Sequence, residues 1–228
     1  MNKPLDYAIR YSRRKTAAIH ITQQGVELRL PHGVSESWGH QFIQQKRDWI
    51  ERKLKEQSRY TQHIPNLEWG STILWHGQPV PLTYQPATQA SLKLTPHGFV
   101  FSAKTEPNKE IRKKWLADFF KQEARNYLTS LTNEKVAALN LQDQLKAVRL
   151  RYTKSKWGHC SSVGNIQYNW LIMGAPFEVI DYLVCHEVSH LIHLNHSPAF
   201  WQQVAKICPD YKKHQAWLKQ EGVRLAWF

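Results

Sequence analysis

The chain has 228 residues, with 31 Lys and Arg against 18 Asp and Glu, which gives a formal net charge of +13. Its 10 Trp, 9 Tyr and 8 Phe exclude an intrinsically disordered chain, because so many aromatic side chains can build a hydrophobic core. The three cysteines are widely spaced and form no C-x-x-C pair, which excludes a disulfide framework and a thiolate zinc site. Residues 1–16 lack an apolar signal core and no apolar run has membrane-spanning length, so we predict a cytoplasmic protein with no membrane partner.

The first 105 residues predict a β-rich region that contains one helix. Residues 8–30 alternate in polarity as strands do, with a hairpin turn at Gln24-Gly25. Residues 34–60 carry apolar side chains at helical spacing and predict one helix. Two further hairpins are predicted between residues 73 and 101, the first of them turning at His76-Gly77.

Residues 106–228 predict a C-terminal core on which the N-terminal region, residues 1–105, packs. A long helix begins after Asn108, whose side chain can cap it. Two short strands follow at residues 148–152 and 165–169, around a loop that contains Gly and Ser. A strand beside the next helix could present an open edge to an extended peptide, or it could be an ordinary sheet strand. The fold class predicted from these elements is α+β.

The segment from His186 to His196 contains H-E-x-x-H and a further histidine six residues after the second. On a helix, His186 and His190 project from one face and can bind one metal ion, with Glu187 placed to act as a general base. The helix is predicted to end at Asn195 or the residue before it, and a reversal there would bring His196 to the same face. Three protein ligands and one water are typical of a catalytic zinc site.

The sequence leaves open the roles of other side chains near the predicted site. His193 is three residues after His190, but its spacing from His186 turns it away from the ligand face, so we predict a supporting or exposed position. Four side chains on the preceding strands could donate to an oxyanion or contact substrate, and the sequence does not choose among them. They are Arg151, Tyr152, Tyr168 and Asn169.

The loop between the two short strands carries a family signature. The loop contains the run Trp157-Gly158-His159-Cys160-Ser161, followed by Gly164-Asn165-Ile166 and Asn169. This pattern resembles the W-G-S-C-S…G-x-I-x-L-N signature of the YgjP-like metallopeptidases, which are relatives of the SprT and WLM zinc-protease groups. The similarity continues through residues 176–182, the histidine motif and residues 195–201, and extends over nearly the whole chain.

The resemblance implies a zincin-like catalytic core that contains the H-E-x-x-H helix and holds one Zn²⁺ ion. It assigns the metal to His186, His190 and His196 and the role of base to Glu187. His159 stands where the family has serine. We interpret this difference as neutral, and the alternative is a group that contacts substrate or lies near the metal.

The leading prediction is a zinc-dependent hydrolase, a metallopeptidase that cleaves a polypeptide substrate by Glu-assisted attack of zinc-bound water. An alternative is a metal-dependent nucleoside triphosphate pyrophosphatase of the UTP type, because basic residues near the motif could bind phosphates. Those residues are Arg149, Arg151, Lys154 and Lys156. A further alternative, consistent with the positive net charge, is a protease associated with nucleic acid.

Overall fold

The computed structural model of the protein describes residues 5–22, 25–62 and 65–228, and the side chains of these residues except 56–62. The chain divides into two compact units, Met1–His63 and Ile64–Phe228. Strands and helices occur together in both units, which confirms the predicted α+β class. No helix in the described part of the chain is long and apolar enough to cross a membrane.

The first unit is a three-stranded sheet with two helices. The strands β1 (Tyr7–Ser12), β2 (Ala18–Thr22) and β3 (Gly25–Pro31) lie in the order β1-β3-β2, with β1 parallel and β2 antiparallel to β3. Of the predicted hairpin turn between β2 and β3, Gln24 lies outside the described residues. The helices are α1 (Glu36–Gln45) and α2 (Arg47–Gln62).

The prediction of a single helix over residues 34–60 is wrong, because the backbone leaves helical geometry at Lys46, with φ −101° and ψ 9°. The break lets α1 pack on β3 while α2 packs on β2. Alternating residues of β3 meet the apolar sides of both helices in a core of their own. Its buried members are Val26, Leu28, Leu30, Ile43 and Ile50.

The second unit begins with a four-stranded sheet. Its strands are β4 (Thr72–Trp75), β5 (Gln78–Pro86), β6 (Ser91–Thr95) and β7 (Gly98–Ala103), in the order β4-β5-β7-β6. The β4–β5 and β6–β7 pairs are antiparallel, which confirms the two predicted hairpins. The sheet is completed by the parallel pairing of β5 with β7.

Helix α3 (Lys109–Ala138) follows, and Asn108 caps it as predicted, with its Oδ1 accepting from the Ile111 amide at 3.0 Å. A second small sheet contains β8 (Ala147–Leu150), β9 (Gly158–Cys160) and β10 (Asn165–Tyr168) in the order β8-β10-β9. Strand β9 is therefore at an edge of this sheet.

Three helices complete the unit: α4 (Phe177–Ser189), α5 (Pro198–Ile207) and α6 (Tyr211–Glu221). The predicted division between residues 105 and 106 lies inside this unit. The β4–β7 sheet and α3 share one core, in which the ring of Trp75 lies 4.8 Å from that of Phe120 and 6.1 Å from that of Phe99. A large aromatic cluster of this kind joins elements far apart in sequence.

The turn between β4 and β5 is fixed to the start of α4. The His76 amide donates to the Met173 carbonyl at 3.0 Å, and the Gly77 amide donates to the Gly174 carbonyl at 2.9 Å. Gly77 has φ +80°, and a Cβ there would lie 2.7 Å from the ring of Pro176, the residue that precedes α4. This contact holds the first turn of the motif-bearing helix against the four-stranded sheet.

Candidate metal centre

Helix α4 is buried along most of its length, and it ends earlier than predicted. Its last residue is Ser189, whose hydroxyl donates to the Cys185 carbonyl at 2.7 Å. The amides of Leu191 and Ile192 then bond to carbonyls three residues back, which tightens the turn. The prediction of a helix end near Asn195 is therefore wrong by one and a half turns, and the chain begins to reverse at His190.

The reversal brings the third histidine of the motif back to the first two. Ser197 caps α5 through a hydrogen bond from the Phe200 amide, and this cap fixes the chain direction immediately after His196. The Nε2 atoms of His186 and His196 are 3.0 Å apart. One ring nitrogen from each of His186, His190 and His196 lies within 4.8 Å of the other two.

The protonation of the His186 and His190 rings fits a metal site. The His190 Nδ1 lies 2.9 Å from the His193 carbonyl, which can only accept, so Nδ1 carries the proton and Nε2 offers its lone pair. Burial, with smaller contributions from His190 and His196, lowers the pKa of His186 to about 3 and keeps that ring neutral. Tetrahedral zinc with Zn–N bonds near 2.05 Å needs nitrogens about 3.3 Å apart, close to the spacing of the His186–His196 pair.

This triad is the sole group of three or more His, Cys, Asp or Glu with metal-binding geometry in the described part of the chain. The backbone carbonyl of His193 supports the site by accepting from the His190 ring, and this contact does not involve the His193 side chain. Cys160 lies nearby, but burial, followed by the proximity of Glu187, raises the pKa of its thiol to about 11. The thiol is therefore protonated near neutral pH and is a poor ligand.

Glu187 is buried beside the triad, with 3% of its surface exposed. Its Oε2 atom has no hydrogen-bond partner among the described residues. Burial raises the pKa of its carboxyl group to about 8, although the nearby Lys156 acts in the opposite direction. Burying a carboxyl oxygen without a partner costs free energy unless it interacts with a bound ion, water or substrate. This atom therefore indicates the side of the site where a ligand binds.

The triad and Glu187 open into a cavity of about 430 Å³ between α4 and β9, which we call the metal cavity. Lys156 and His159 bring positive or protonatable groups to its lining, and Leu194 brings an apolar one. The other lining residues are Trp157, Gly158, Cys160, Tyr182, Leu183 and Leu218.

Comparison with protein families gives a match to the YgjP-like metallopeptidase domain over residues 15–221. The chain belongs to the YgjP-like metallopeptidase family. The family relationship predicted from the loop signature is thereby confirmed. No curated protein matches this YgjP-like chain.

Two solved structures resemble parts of the YgjP-like chain. One is the metallopeptidase zymogen of Pyrococcus abyssi abylysin, with 26% identity and a TM-score of 0.37, over 41% of this chain and 95% of that one. The other is the metallopeptidase zymogen of Methanocaldococcus jannaschii jannalysin, with 17% identity and a TM-score of 0.33, over 39% of this chain and 93% of that one.

Of the five additional residues predicted to contact substrate or an oxyanion, one lines the metal cavity of this YgjP-like protein, namely His159. The Tyr168 hydroxyl is fully buried and pairs with Thr132 at 3.0 Å. The Asn169 side chain accepts from the Leu171 amide and donates to the Thr153 carbonyl.

The remaining two predicted residues also lie outside the cavity lining. The Tyr152 hydroxyl donates to the Phe228 carbonyl at 3.0 Å. Arg151 is exposed, and its backbone amide extends the small sheet by donating to the Tyr168 carbonyl. Of the four basic residues considered for phosphate binding, Lys156 alone lines the metal cavity.

The sequence reasoning missed the role of Gly158. A Cβ atom at this position would lie 2.7 Å from both Cγ and Cδ of Glu187 and still closer to Oε1. The close approach of β9 to α4 therefore requires a residue without a side chain at position 158. The glycine inside the W-G-x-C-S run was a usable signal, because glycine within a strand often marks such an approach.

We expect Gly158→Ala to displace the Glu187 carboxyl and to lower peptidase turnover by at least about tenfold, since an ångström of misplacement is costly in catalysis. Metal content and the circular dichroism spectrum are expected to stay near those of the wild type. Ser155→Ala, an exposed change in the preceding loop, is the control. Equal turnover in the Gly158→Ala and Ser155→Ala variants would contradict the expectation.

The buried carboxyl of Glu187 also predicts a pH dependence in the metal-free protein. Because its pKa is raised from 4.5 to about 8, the folded state keeps a proton that the unfolded state releases in this interval. The stabilising contribution is complete below pH 4.5 and disappears as the pH rises through 8. We expect Glu187→Gln to remove this decline, as measured by the free energy of unfolding in urea across this range. If the free energy of unfolding depends on pH in the same way in the wild type and the variant, this expectation is wrong.

Proposed function

We propose that the protein is a zinc-dependent, zincin-like metallopeptidase that cleaves peptide bonds with His186, His190 and His196 as metal ligands and Glu187 as the base. One observation carries the proposal: three imidazoles converge beside a buried carboxyl group in a cavity open to solvent. Three ligands leave a fourth position for water or substrate, as catalytic zinc sites require.

Bound zinc would supply a Lewis acid that lowers the pKa of water and stabilises negative charge on the substrate oxygen. Glu187 contributes the proton transfers. Its unpartnered Oε2 accepts a proton from the attacking water and then delivers it to the leaving amine. In the metal-free protein, burial favours the protonated carboxyl group, and a bound Zn²⁺ ion beside it would favour the carboxylate that accepts the proton.

The edge of β9 can position a polypeptide substrate. The Asn169 amide donates to the Trp157 carbonyl, and the Ser161 amide donates to the Asn165 carbonyl. Since antiparallel strands bond through alternate residues, the backbone groups of Gly158 and Cys160 face away from β10. An extended peptide that pairs with these groups lies along the metal cavity, with backbone hydrogen bonds that do not depend on its sequence.

The proposal is tested with purified protein loaded with one equivalent of Zn²⁺. We expect cleavage of an unfolded polypeptide, loss of cleavage after chelation, and recovery when zinc is restored. Absence of cleavage by the fully loaded protein would overturn the proposal.

The placement of Lys156 in the metal cavity gives one observation in favour of the alternative, a nucleoside triphosphate pyrophosphatase. Parallel incubation with UTP decides between the two, because a phosphoanhydride hydrolase would release pyrophosphate and leave polypeptides intact. For an association with nucleic acid, the discriminating measurement is binding at several salt concentrations, where phosphate contacts produce a steep dependence.

A further inference from the structure

A second cavity, of about 370 Å³, lies beside the metal cavity and shares His190 and Leu194 with it. It is bounded on one side by residues 161–164, the turn that follows β9. On the other side it is bounded by Leu191 and Leu194 in the turn that follows α4. We call it the side cavity.

The side cavity displays exposed apolar side chains. Val163 and Leu194 are each 64% exposed, the highest values among the large hydrophobic residues in the described part of the chain. Both line the side cavity. Exposed apolar groups grouped at one place usually mark a binding surface, because water contact with them is unfavourable.

Both exposed side chains lie on turns that are held in place by backbone hydrogen bonds. The turn that carries Val163 is closed by a bond from the Gly164 amide to the Ser161 carbonyl at 3.0 Å, and it is tied to the preceding chain by a bond from the Lys146 amide to the Gly164 carbonyl at 2.8 Å. The turn that carries Leu194 is held by the His193 amide on the Ser189 carbonyl at 3.0 Å. Two fixed backbones thus hold apolar groups toward solvent.

The position of the side cavity relative to β9 suggests its occupant. Strand β9 runs from Gly158, in contact with Glu187, through Cys160 to Ser161, which lines the side cavity. A peptide paired with this edge advances about 3.3 Å per residue. A residue two or three positions from the peptide bond that faces Glu187 therefore reaches the side cavity.

We infer that the side cavity is a specificity pocket that takes an apolar side chain of the polypeptide substrate, two or three residues from the cleaved bond, with Val163 and Leu194 as its apolar contacts. The inference rests on the proposed peptidase function and names the substrate class. An aliphatic or aromatic side chain that covers these two residues removes apolar surface on both partners from water.

The test compares cleavage of a peptide library, varied two and three residues from the cleaved bond, by the zinc-loaded wild type and by Val163→Asp. Val163 lines the side cavity and not the metal cavity, and aspartate suits a turn, so the variant should fold. We expect the wild type to prefer Leu, Ile, Met or Phe, and the variant to lose about tenfold in kcat/KM for those peptides while gaining for peptides with Lys.

Ile192→Asp is the matched control, because Ile192 is 43% exposed in the neighbouring turn and lines neither cavity. Its preference should equal that of the wild type. A second readout uses the Glu187→Gln protein, where calorimetric titration with the preferred peptide should show about tenfold weaker binding once Val163→Asp is added.

Two outcomes would overturn the inference and leave the peptidase proposal standing. In the first, the wild type cleaves peptides and Val163→Asp shows the same side-chain preference. In the second, Val163→Asp and Ile192→Asp change the preference equally. Absence of any cleavage by the wild type would overturn both. A self-associating wild type that becomes monomeric with Val163→Asp would show a second copy of the chain as the occupant and would also overturn the inference.

Discussion

Replacing Glu187 by glutamine is expected to abolish peptide cleavage while leaving the metal in place. The amide keeps the size of the side chain and its fit against Gly158, but it cannot accept a proton. Loss of a general base costs about 10²- to 10⁴-fold in turnover, and the three histidines are untouched, so zinc should stay bound with wild-type stoichiometry.

The measurement pairs turnover of an unfolded polypeptide with metal analysis of the same samples. Glu178→Gln is the matched control, since Glu178 is an exposed carboxylate in the first turn of the same helix. Turnover at the wild-type level in Glu187→Gln would rule out the assigned base. Loss of activity together with loss of zinc would instead point to a role in holding the metal.

Replacing His196 by alanine is expected to weaken zinc binding by more than about a hundredfold while leaving the fold intact. Removal of a residue that only supports a ligand costs about 10- to 100-fold, so removal of a ligand should cost more. His196 is exposed in the turn between α4 and α5, and its cap neighbour Ser197 is unchanged, so little packing is lost.

Competition with a chelator of known zinc affinity measures this effect, and thermal unfolding of the metal-free proteins checks the fold. His193→Ala is the control, because His193 contributes its backbone carbonyl, which the substitution keeps. Wild-type zinc affinity in the His196→Ala variant would remove this residue from the ligand set. No downstream carboxylate is placed to replace it within the described residues: Glu221 pairs with Arg224 at 3.1 Å.

The sequence predicted the features that are determined by residues close together in the chain. The cap at Asn108 and the helix that carries the motif follow from residue types at fixed offsets, and the structure brings the motif histidines together as expected. The break at Lys46 and the early end of α4 were missed, because each is determined by packing and chain reversal rather than by helix propensity.

The sequence could not choose among side-chain contacts that depend on tertiary neighbours. The polar groups of Tyr168 and Asn169 are engaged within the protein, by Thr132 and by Thr153 and Leu171. Their alternation along the strand gave no sign of these partners. Gly158 is different, because a glycine within a strand was a usable signal, although the residue that it approaches, Glu187, lies about 30 residues away in sequence.

The attachment of the His76-Gly77 turn to the segment before α4 has a consequence for truncation. A fragment starting at residue 106 would keep every histidine of the motif, yet it would lose the two amides that bind the Met173 and Gly174 carbonyls. It would also bare the rings of Phe119 and Phe120, which lie 5.2 Å and 4.8 Å from that of Trp75. The smallest fragment able to fold cooperatively around the histidines must therefore include the β4–β7 sheet, although that sheet supplies none of the residues in the metal cavity.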